Sequence, residues 1–274
     1  LVDYSEEIYK KILADYDSFV AGLDSPLVTQ SIPLSGLEGD NVLELSSKTA
    51  WYDGPSLMDF LNVVTPVRDK SEDRFILPVQ WVNRPNLDFR GFSGRIASGE
   101  VKEGDAVRVM PSGVKTKVKS ILAGFEGESQ AEEGDSITLT LNDEVDASRG
   151  DVIVGSDTEL QVADQFQAKI LWMSENTLSS GRHYLMKMAT KEVTATVTRI
   201  KYREDINSGE HLAALSIGLN DIAMVNLSIS APVTFSPYKS NRTMGGFILI
   251  DKLTFETVGA GMLNFALRRS SNIH

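Results

Sequence analysis

Three Gly-Asp pairs in the middle of this 274-residue chain constrain its fold most strongly, because each precedes a run of alternating apolar residues. The segments are Glu103–Val109, Glu133–Leu139 and Arg149–Val154. Glycine tolerates positive φ, and an aspartate side chain can accept hydrogen bonds from the turn backbone. Alternation with a period of two indicates strands with one buried face. The repeat favours a turn over a cell-adhesion motif at Arg149-Gly150-Asp151, and its spacing predicts a compact antiparallel barrel.

A second β-rich block begins at Gln165. Two runs in it alternate between apolar and other residues, which indicates strands with one buried face. Further strands are predicted within 215–233 and 247–253, so the block would form a second barrel of about a hundred residues. The predicted buried residues are Phe166, Ala168, Ile170, Trp172, Val193, Ala195 and Val197.

The front of the chain has a helical rather than a two-residue period. Asp3 or Ser5 can cap a helix with an acidic first turn, and this helix is predicted to end near Gly22. One side of it would be apolar, with a spacing typical of a helix. The residues on that side are Ile8, Ile12, Tyr16, Phe19 and Val20.

A short apolar strand is predicted from Pro26 to Leu34, followed by a small-residue loop at Ser35. This order is typical of an open α/β sheet, where ligands bind at the carboxyl ends of strands. A second helix is predicted at Leu57–Asn62, with Pro55 in its first turn. The charged segment 65–73 is predicted to be a linker.

Composition excludes several kinds of site. The chain has no cysteine, which excludes disulfides, thiolate zinc sites and a cysteine nucleophile. Its three histidines, His183, His211 and His274, are far apart and lack partners at ligand spacing, so we assign no catalytic residue and no metal site. No apolar run is long enough to span a membrane. The net charge of −11 argues against nucleic-acid binding as a general property, and basic residues at 199–203 and 268–269 are interpreted as solvated charges.

Four segments resemble one known family. The run Ser31–Val42, which contains Ser35-Gly36-Leu37 and Gly39-Asp40-Asn41, and the run Trp51–Pro55 resemble the last guanine-recognition motif of the translational-type GTPases. Gly94–Gly99 is similar to the second domain of these proteins. The run Asn241–Thr254 resembles the third domain of the large GTPase subunits of bacterial sulfate adenylyltransferase.

The resemblance implies a mainly β fold, in which the C-terminal remnant of an α/β P-loop GTPase domain precedes two antiparallel β-barrels. The expected divisions are 1–64 for the remnant, 65–73 for a linker, and 74–160 and 161–274 for the barrels. No phosphate-binding loop, Asp-x-x-Gly motif or Asn-Lys-x-Asp motif occurs in the sequence. We therefore expect the chain to begin just after the last of these, and GTP with Mg²⁺ to be bound mainly by a missing N-terminal part.

For the site, the resemblance implies that Ser35, Gly36 and Leu37 face the guanine base. A tight strand-to-helix turn without a ligand remains the alternative. The implied activity is that of a cytoplasmic regulatory GTPase subunit, which couples GTP hydrolysis to formation of adenosine 5′-phosphosulfate and pyrophosphate from ATP and sulfate. Its implied partner is a smaller catalytic subunit. The alternatives are an elongation-factor-like GTPase that binds aminoacyl-tRNA, or a non-catalytic barrel scaffold.

Overall fold

The computed structural model describes residues 2–22, 28–64, 74–86, 88–122 and 129–267. The chain divides into two compact units, Leu1–Asp69 and Lys70–His274. The linker predicted at 65–73 lies outside the described residues, and so do His274 and the basic pair at 268–269.

The described part of the first unit contains two α-helices, α1 at Glu6–Ala21 and α2 at Leu57–Val63. Ser5 rather than Asp3 is the N-cap of α1, and its Oγ accepts from the Ile8 N–H. The N-cap of α2 is Ser56, so the preceding proline lies outside the first turn in which it was predicted. Ser56 fills this position because its hydroxyl accepts from the Asp59 N–H at 3.2 Å.

The strand predicted from Pro26 to Leu34 is wrong for the residues that the structure describes. Residues 28–34 form no strand, since no described segment of the unit pairs with them. A strand needs a neighbour to satisfy its backbone groups. The apolar side of α1 is similarly uncovered within the described part of this unit: Ile12 is 56% exposed and Phe19 is 63% exposed.

In its described residues, the second unit begins with a barrel of nine short strands. In the main sheet they run in the order β1-β9-β5-β6-β8-β3-β2, and β4 pairs with β7. The Ile76 N–H donates to the Ser98 carbonyl and the Ile76 carbonyl accepts from the Ala97 N–H, so β1 returns toward the other edge of the sheet. The strands are β1 Ile76–Pro78, β2 Trp81–Asn83, β3 Gly91–Arg95, β4 Glu100–Lys102, β5 Ala106–Met110, β6 Val114–Leu122, β7 Gln130–Glu132, β8 Ser136–Leu141 and β9 Val152–Gly155.

The three Gly-Asp turns of this barrel have the same geometry, which confirms the prediction. Their glycines have φ values of +89°, +97° and +94°. In each turn the aspartate carboxylate accepts from the backbone N–H three residues earlier, at 2.8 to 2.9 Å. A left-handed glycine followed by a backbone-binding carboxylate therefore closes each turn. The turns are those of Asp105, Asp135 and Asp151.

Six strands of the second block close into another antiparallel barrel, in the order β12-β17-β18-β10-β16-β13. The seven residues predicted to be buried all lie in its core, which confirms the predicted alternation. The elements are β10 Gln161–Trp172, β11 Leu178–Ser179, β12 His183–Met188, β13 Lys191–Glu204, β14 His211–Leu212, β15 Ser216–Ile217, β16 Ile222–Phe235, the helical turn α3 Arg242–Gly245, β17 Gly246–Asp251 and β18 Thr257–Ala266.

The two barrels share a small apolar cluster. Met244 of α3 is 1% exposed and lies in one buried cluster with residues of the first barrel. Nearby, the Asn241 Nδ2 donates to the Ala97 carbonyl of the first barrel. The barrels are thus joined by side-chain packing as well as by the chain. The first-barrel members of the cluster are Ile76, Met110, Val152 and Val154.

Candidate functional site

The small-residue loop after Leu34 is closed by its own backbone. The Ser35 N–H donates to the Asp40 carbonyl at 3.2 Å, and the Gly39 N–H donates to the Ser35 carbonyl at 2.8 Å. The Ser35 Oγ accepts from the Glu38 N–H at 3.1 Å. Gly39 has a φ of +77°, which a glycine adopts without steric cost. The loop's own hydrogen bonds therefore define its conformation.

Asn41 holds this loop in place through the hydrogen bonds of its side chain. It is fully buried, and its Nδ2 donates to the Pro33 carbonyl at 2.6 Å and to the Thr49 Oγ1 at 2.8 Å. Its Oδ1 accepts from the Ser46 N–H at 2.7 Å. Its own φ of +58° is one that asparagine tolerates better than most residues. One buried amide thus ties together both ends of the loop and the turn that follows.

Asp40 is the centre of a polar network behind the loop. Its carboxylate accepts from the Ser46 Oγ at 2.6 Å, from the Tyr4 hydroxyl at 2.7 Å and from the Lys48 Nζ at 3.1 Å. These partners lower the pKa of Asp40 to about 2, with the Ser46 and Tyr4 hydrogen bonds as the main causes. The Trp51 Nε1 donates to the Tyr4 carbonyl at 3.1 Å. Asp40 therefore connects the chain before α1 with the loop.

A cleft of about 550 Å³ lies over this loop and is lined by residues of the first unit, among them Ser35, Gly36 and Leu37. Leu37 is 94% exposed. Within the described residues, the N–H groups of Gly36 and Leu37 have no hydrogen-bond partner. The Ser35 Oγ accepts one bond, so its O–H remains able to donate. The loop can thus offer a hydroxyl and two backbone N–H groups to an acceptor atom.

Sequence reasoning missed the network around Asp40. Tyr4 and Lys48 lie 36 and eight positions from Asp40, and no spacing rule links such residues. Only the folded chain brings them together. Their contribution is to position the loop, since the bonds hold the segment before α1 against Asp40.

The histidines are in structural positions where the structure describes them. The His183 Nδ1 lies 2.6 Å from the Thr196 Oγ1, and the His211 ring stacks on Tyr202 with centroids 3.7 Å apart. Among the described residues, no three histidine or carboxylate side chains are placed to hold a metal ion. In the same part of the chain, no helix is long and apolar enough to cross a membrane.

Two family models match the barrels. The model described as "Elongation factor Tu domain 2" matches residues 92–154, and the model described as "GTP-eEF1A C-terminal domain-like" matches residues 165–264. The matches fall in sequence order on the first and second barrels. The chain belongs to the translational GTPase superfamily.

Curated relatives in this superfamily match most of the chain. "Sulfate adenylyltransferase subunit 1" of Alteromonas mediterranea is 47% identical over 96% of the chain, which covers 56% of that protein. "Bifunctional enzyme CysN/CysC" of Xylella fastidiosa is 44% identical over the whole chain and 44% of its own length. "Bifunctional enzyme NodQ" of Rhizobium meliloti is 42% identical, with 43% of its length covered. The chain spans about half the length of the curated relatives that it matches.

A solved structure supports the fold. The structure titled "Crystal Structure Analysis of sup35 complexed with GDP" matches with a TM-score of 0.67 and 24% identity, over 97% of this chain and 66% of that one. At this identity the likeness bears on the fold alone. The mainly β architecture expected from the sequence, with a helical segment before two antiparallel barrels, is confirmed.

Proposed function

We propose that this chain is part of the regulatory GTPase subunit of sulfate adenylyltransferase. In the proposed reaction GTP hydrolysis drives the unfavourable formation of adenosine 5′-phosphosulfate and pyrophosphate from ATP and sulfate. The observation that carries the proposal is the 47% identity to "Sulfate adenylyltransferase subunit 1" over 96% of the chain. The proposed partner is a smaller catalytic subunit, and the proposed location is the cytoplasm.

The proposed guanine-binding residues are Ser35, Gly36 and Leu37. Support comes from the two backbone N–H groups without a partner in the described residues and from the cleft that these residues line. Guanine carries an acceptor oxygen at position 6, where adenine carries an amino donor. A loop of donors would therefore favour guanine, because adenine would leave those donors unpaired.

The chemistry at the phosphates is proposed to lie outside this chain. GTP would bind with Mg²⁺, and the residues that hold the phosphates and the ion would belong to further sequence of the kind that the longer relatives possess. Within this chain, we propose a division into 1–64 for the GTPase remnant, 65–73 for the linker, and 74–160 and 161–274 for the barrels. The matched family ranges support this division.

One other function has an observation in its favour. The family models that match the barrels are described in terms of elongation factors, some of which deliver aminoacyl-tRNA. The net charge of −11 opposes this function, because nucleic-acid binding needs cationic side chains to neutralise phosphates. The relatives' names favour sulfate activation.

The decisive experiment measures pyrophosphate release from ATP by the full-length protein with its smaller partner, with and without sulfate and with and without GTP. Release that needs sulfate and rises with GTP, but not with a non-hydrolysable GTP analogue, is the expected result. GTP hydrolysis without any sulfate-dependent release would overturn the proposal. Salt-sensitive binding of aminoacyl-tRNA would then support the elongation-factor function.

A further inference from the structure

Six large apolar side chains are exposed at one end of the second barrel. They lie in three segments, 173–177, 205–221 and 251–256, which we call the loop face. Backbone bonds bring these segments together: the Asn220 N–H donates to the Trp172 carbonyl, and the Met173 N–H donates to the Val258 carbonyl, both at 2.8 Å. An apolar group of this kind is typical of an interaction site. The six residues are Met173, Ile206, Leu215, Leu219, Leu253 and Phe255.

Phe255 is the most unusual residue of the loop face. It is 75% exposed and has a φ of +60°, a left-handed conformation that is rare for a bulky side chain. Glycine or asparagine would occupy this backbone at lower cost, and a polar residue would be better solvated. Folding alone therefore gives no reason for a phenylalanine here. Strain of this kind points to a functional role for the side chain.

The segment that carries Phe255 is held rigidly. The Asp251 Oδ1 accepts from the Leu253 N–H at 2.8 Å and from the Thr254 N–H at 3.2 Å. The Phe255 N–H donates to the Asp251 carbonyl at 2.9 Å. Arg182 also bonds to the Asp251 carboxylate. Leu253, which is 85% exposed, and Phe255 are thus presented in a fixed conformation, which lowers the entropic cost of binding a partner.

The charge of the loop face indicates what it can bind. Its three segments contain six carboxylates and one lysine. Arg182 and Arg203 pair with two of those carboxylates, which leaves a net negative rim. A second copy of the same face would be repelled, and so would a nucleic acid. A protein surface with an apolar centre and a basic rim would be complementary.

We infer that the loop face is the docking surface for the smaller catalytic subunit, through an apolar patch ringed by lysine and arginine on that subunit. The inference rests on the proposed function. A relative named as subunit 1 implies another subunit, and the face combines preorganised apolar anchors with an unbalanced charge. Leu253 and Phe255 are the anchors. The acidic rim orients the two subunits as they meet and raises the rate constant of association.

The test uses the full-length protein and measures its dissociation constant for the smaller subunit by calorimetry. The variant Leu253→Ser/Phe255→Asn removes both anchors, and asparagine tolerates the left-handed backbone, so the melting temperature stays the same or rises. We expect binding to weaken at least about 10-fold. The control Phe265→Asn changes a phenylalanine that is 49% exposed near the opposite end of β18, and it leaves binding unchanged.

Equal binding by the wild type and the double variant overturns the inference. So does a change in GTP affinity without a change in subunit binding, because the face would then contact the protein's own GTPase domain. Failure of the wild type to bind the smaller subunit, or to support sulfate-dependent pyrophosphate release, contradicts the proposed function itself. Weakening of wild-type binding by added salt, reduced in Glu256→Gln, supports the role of the acidic rim.

Discussion

The Asn241 side chain donates from Nδ2 to the Ala97 carbonyl at 3.4 Å, a bond that joins the two barrels. The Oδ1 of the same amide accepts from the Met244 N–H at 2.9 Å and caps α3. Asn241 is 8% exposed, so these bonds are shielded from water. One side chain thus shapes the turn that inserts Met244 between the barrels and fastens that turn to the first barrel.

Asn241→Ala should lower the free energy of unfolding by about 1 to 2 kcal/mol, because it removes both the cap and the bond between the barrels. Asn241→Ser keeps an oxygen that can cap α3 but loses the donor to Ala97. We expect the free energy of unfolding of the serine variant, measured by urea titration, to lie between those of the alanine variant and the wild type. Equal stability of all three proteins would show that neither bond contributes.

Met244→Ala should destabilise the chain by about 2 to 5 kcal/mol, because it leaves a cavity in the cluster between the barrels. Met244→Leu conserves the volume and should cost less than about 1.5 kcal/mol. Thermal unfolding followed by calorimetry gives the comparison. If the alanine variant instead unfolds at the wild-type temperature, the cluster does not stabilise the pair of barrels.

The lowered pKa of Asp40 makes the free energy of unfolding of the first unit depend on pH. Its folded-state pKa is lowered to about 2, and an unfolded aspartate titrates near 3.9. The carboxylate therefore stabilises the folded unit above about pH 4, and this stabilisation is lost as the pH falls toward 2. Asp40→Asn should be less stable than the wild type at pH 7, and the difference should shrink on acidification. The measurement is the urea midpoint of unfolding of both proteins from pH 7 to pH 2.5. A difference between the two midpoints that stays constant over this range would contradict the prediction.

Gly36 offers a test of the proposed guanine site in the full-length protein. A Cβ at this position meets nothing within 4 Å, so Gly36→Ala should bind GDP within about twofold of the wild type. Gly36→Pro removes the N–H and should weaken GDP binding by about tenfold, equivalent to the loss of one hydrogen bond.

The control for Gly36→Pro is a GDP analogue that lacks the oxygen at position 6 of the base. If the Gly36 N–H binds that oxygen, the proline variant should lose affinity for GDP but little for the analogue. Equal losses for the two nucleotides would mean that the substitution only distorts the loop.

Local patterns were enough to predict both barrels. The alternation around Phe166 and Val193 and the Gly-Asp turns depend on contacts within a few residues, and the structure has them as predicted. The strand expected before Leu34 failed for the opposite reason. A strand depends on a pairing partner, and an apolar segment does not reveal whether such a partner is present.

The sequence by itself determined the order of helices and barrels, the turn residues and the buried faces of the strands, because each is encoded by spacing over a few positions, whereas the superfamily was inferred from the resemblance of its motifs to a known family. Only the tertiary structure decided which distant residues meet. It brought Tyr4 to Asp40, and Asn241 to Ala97. It also gathered exposed apolar residues from three segments at one end of the second barrel. Such contacts arise from how distant segments pack together, and no local period in the sequence records them.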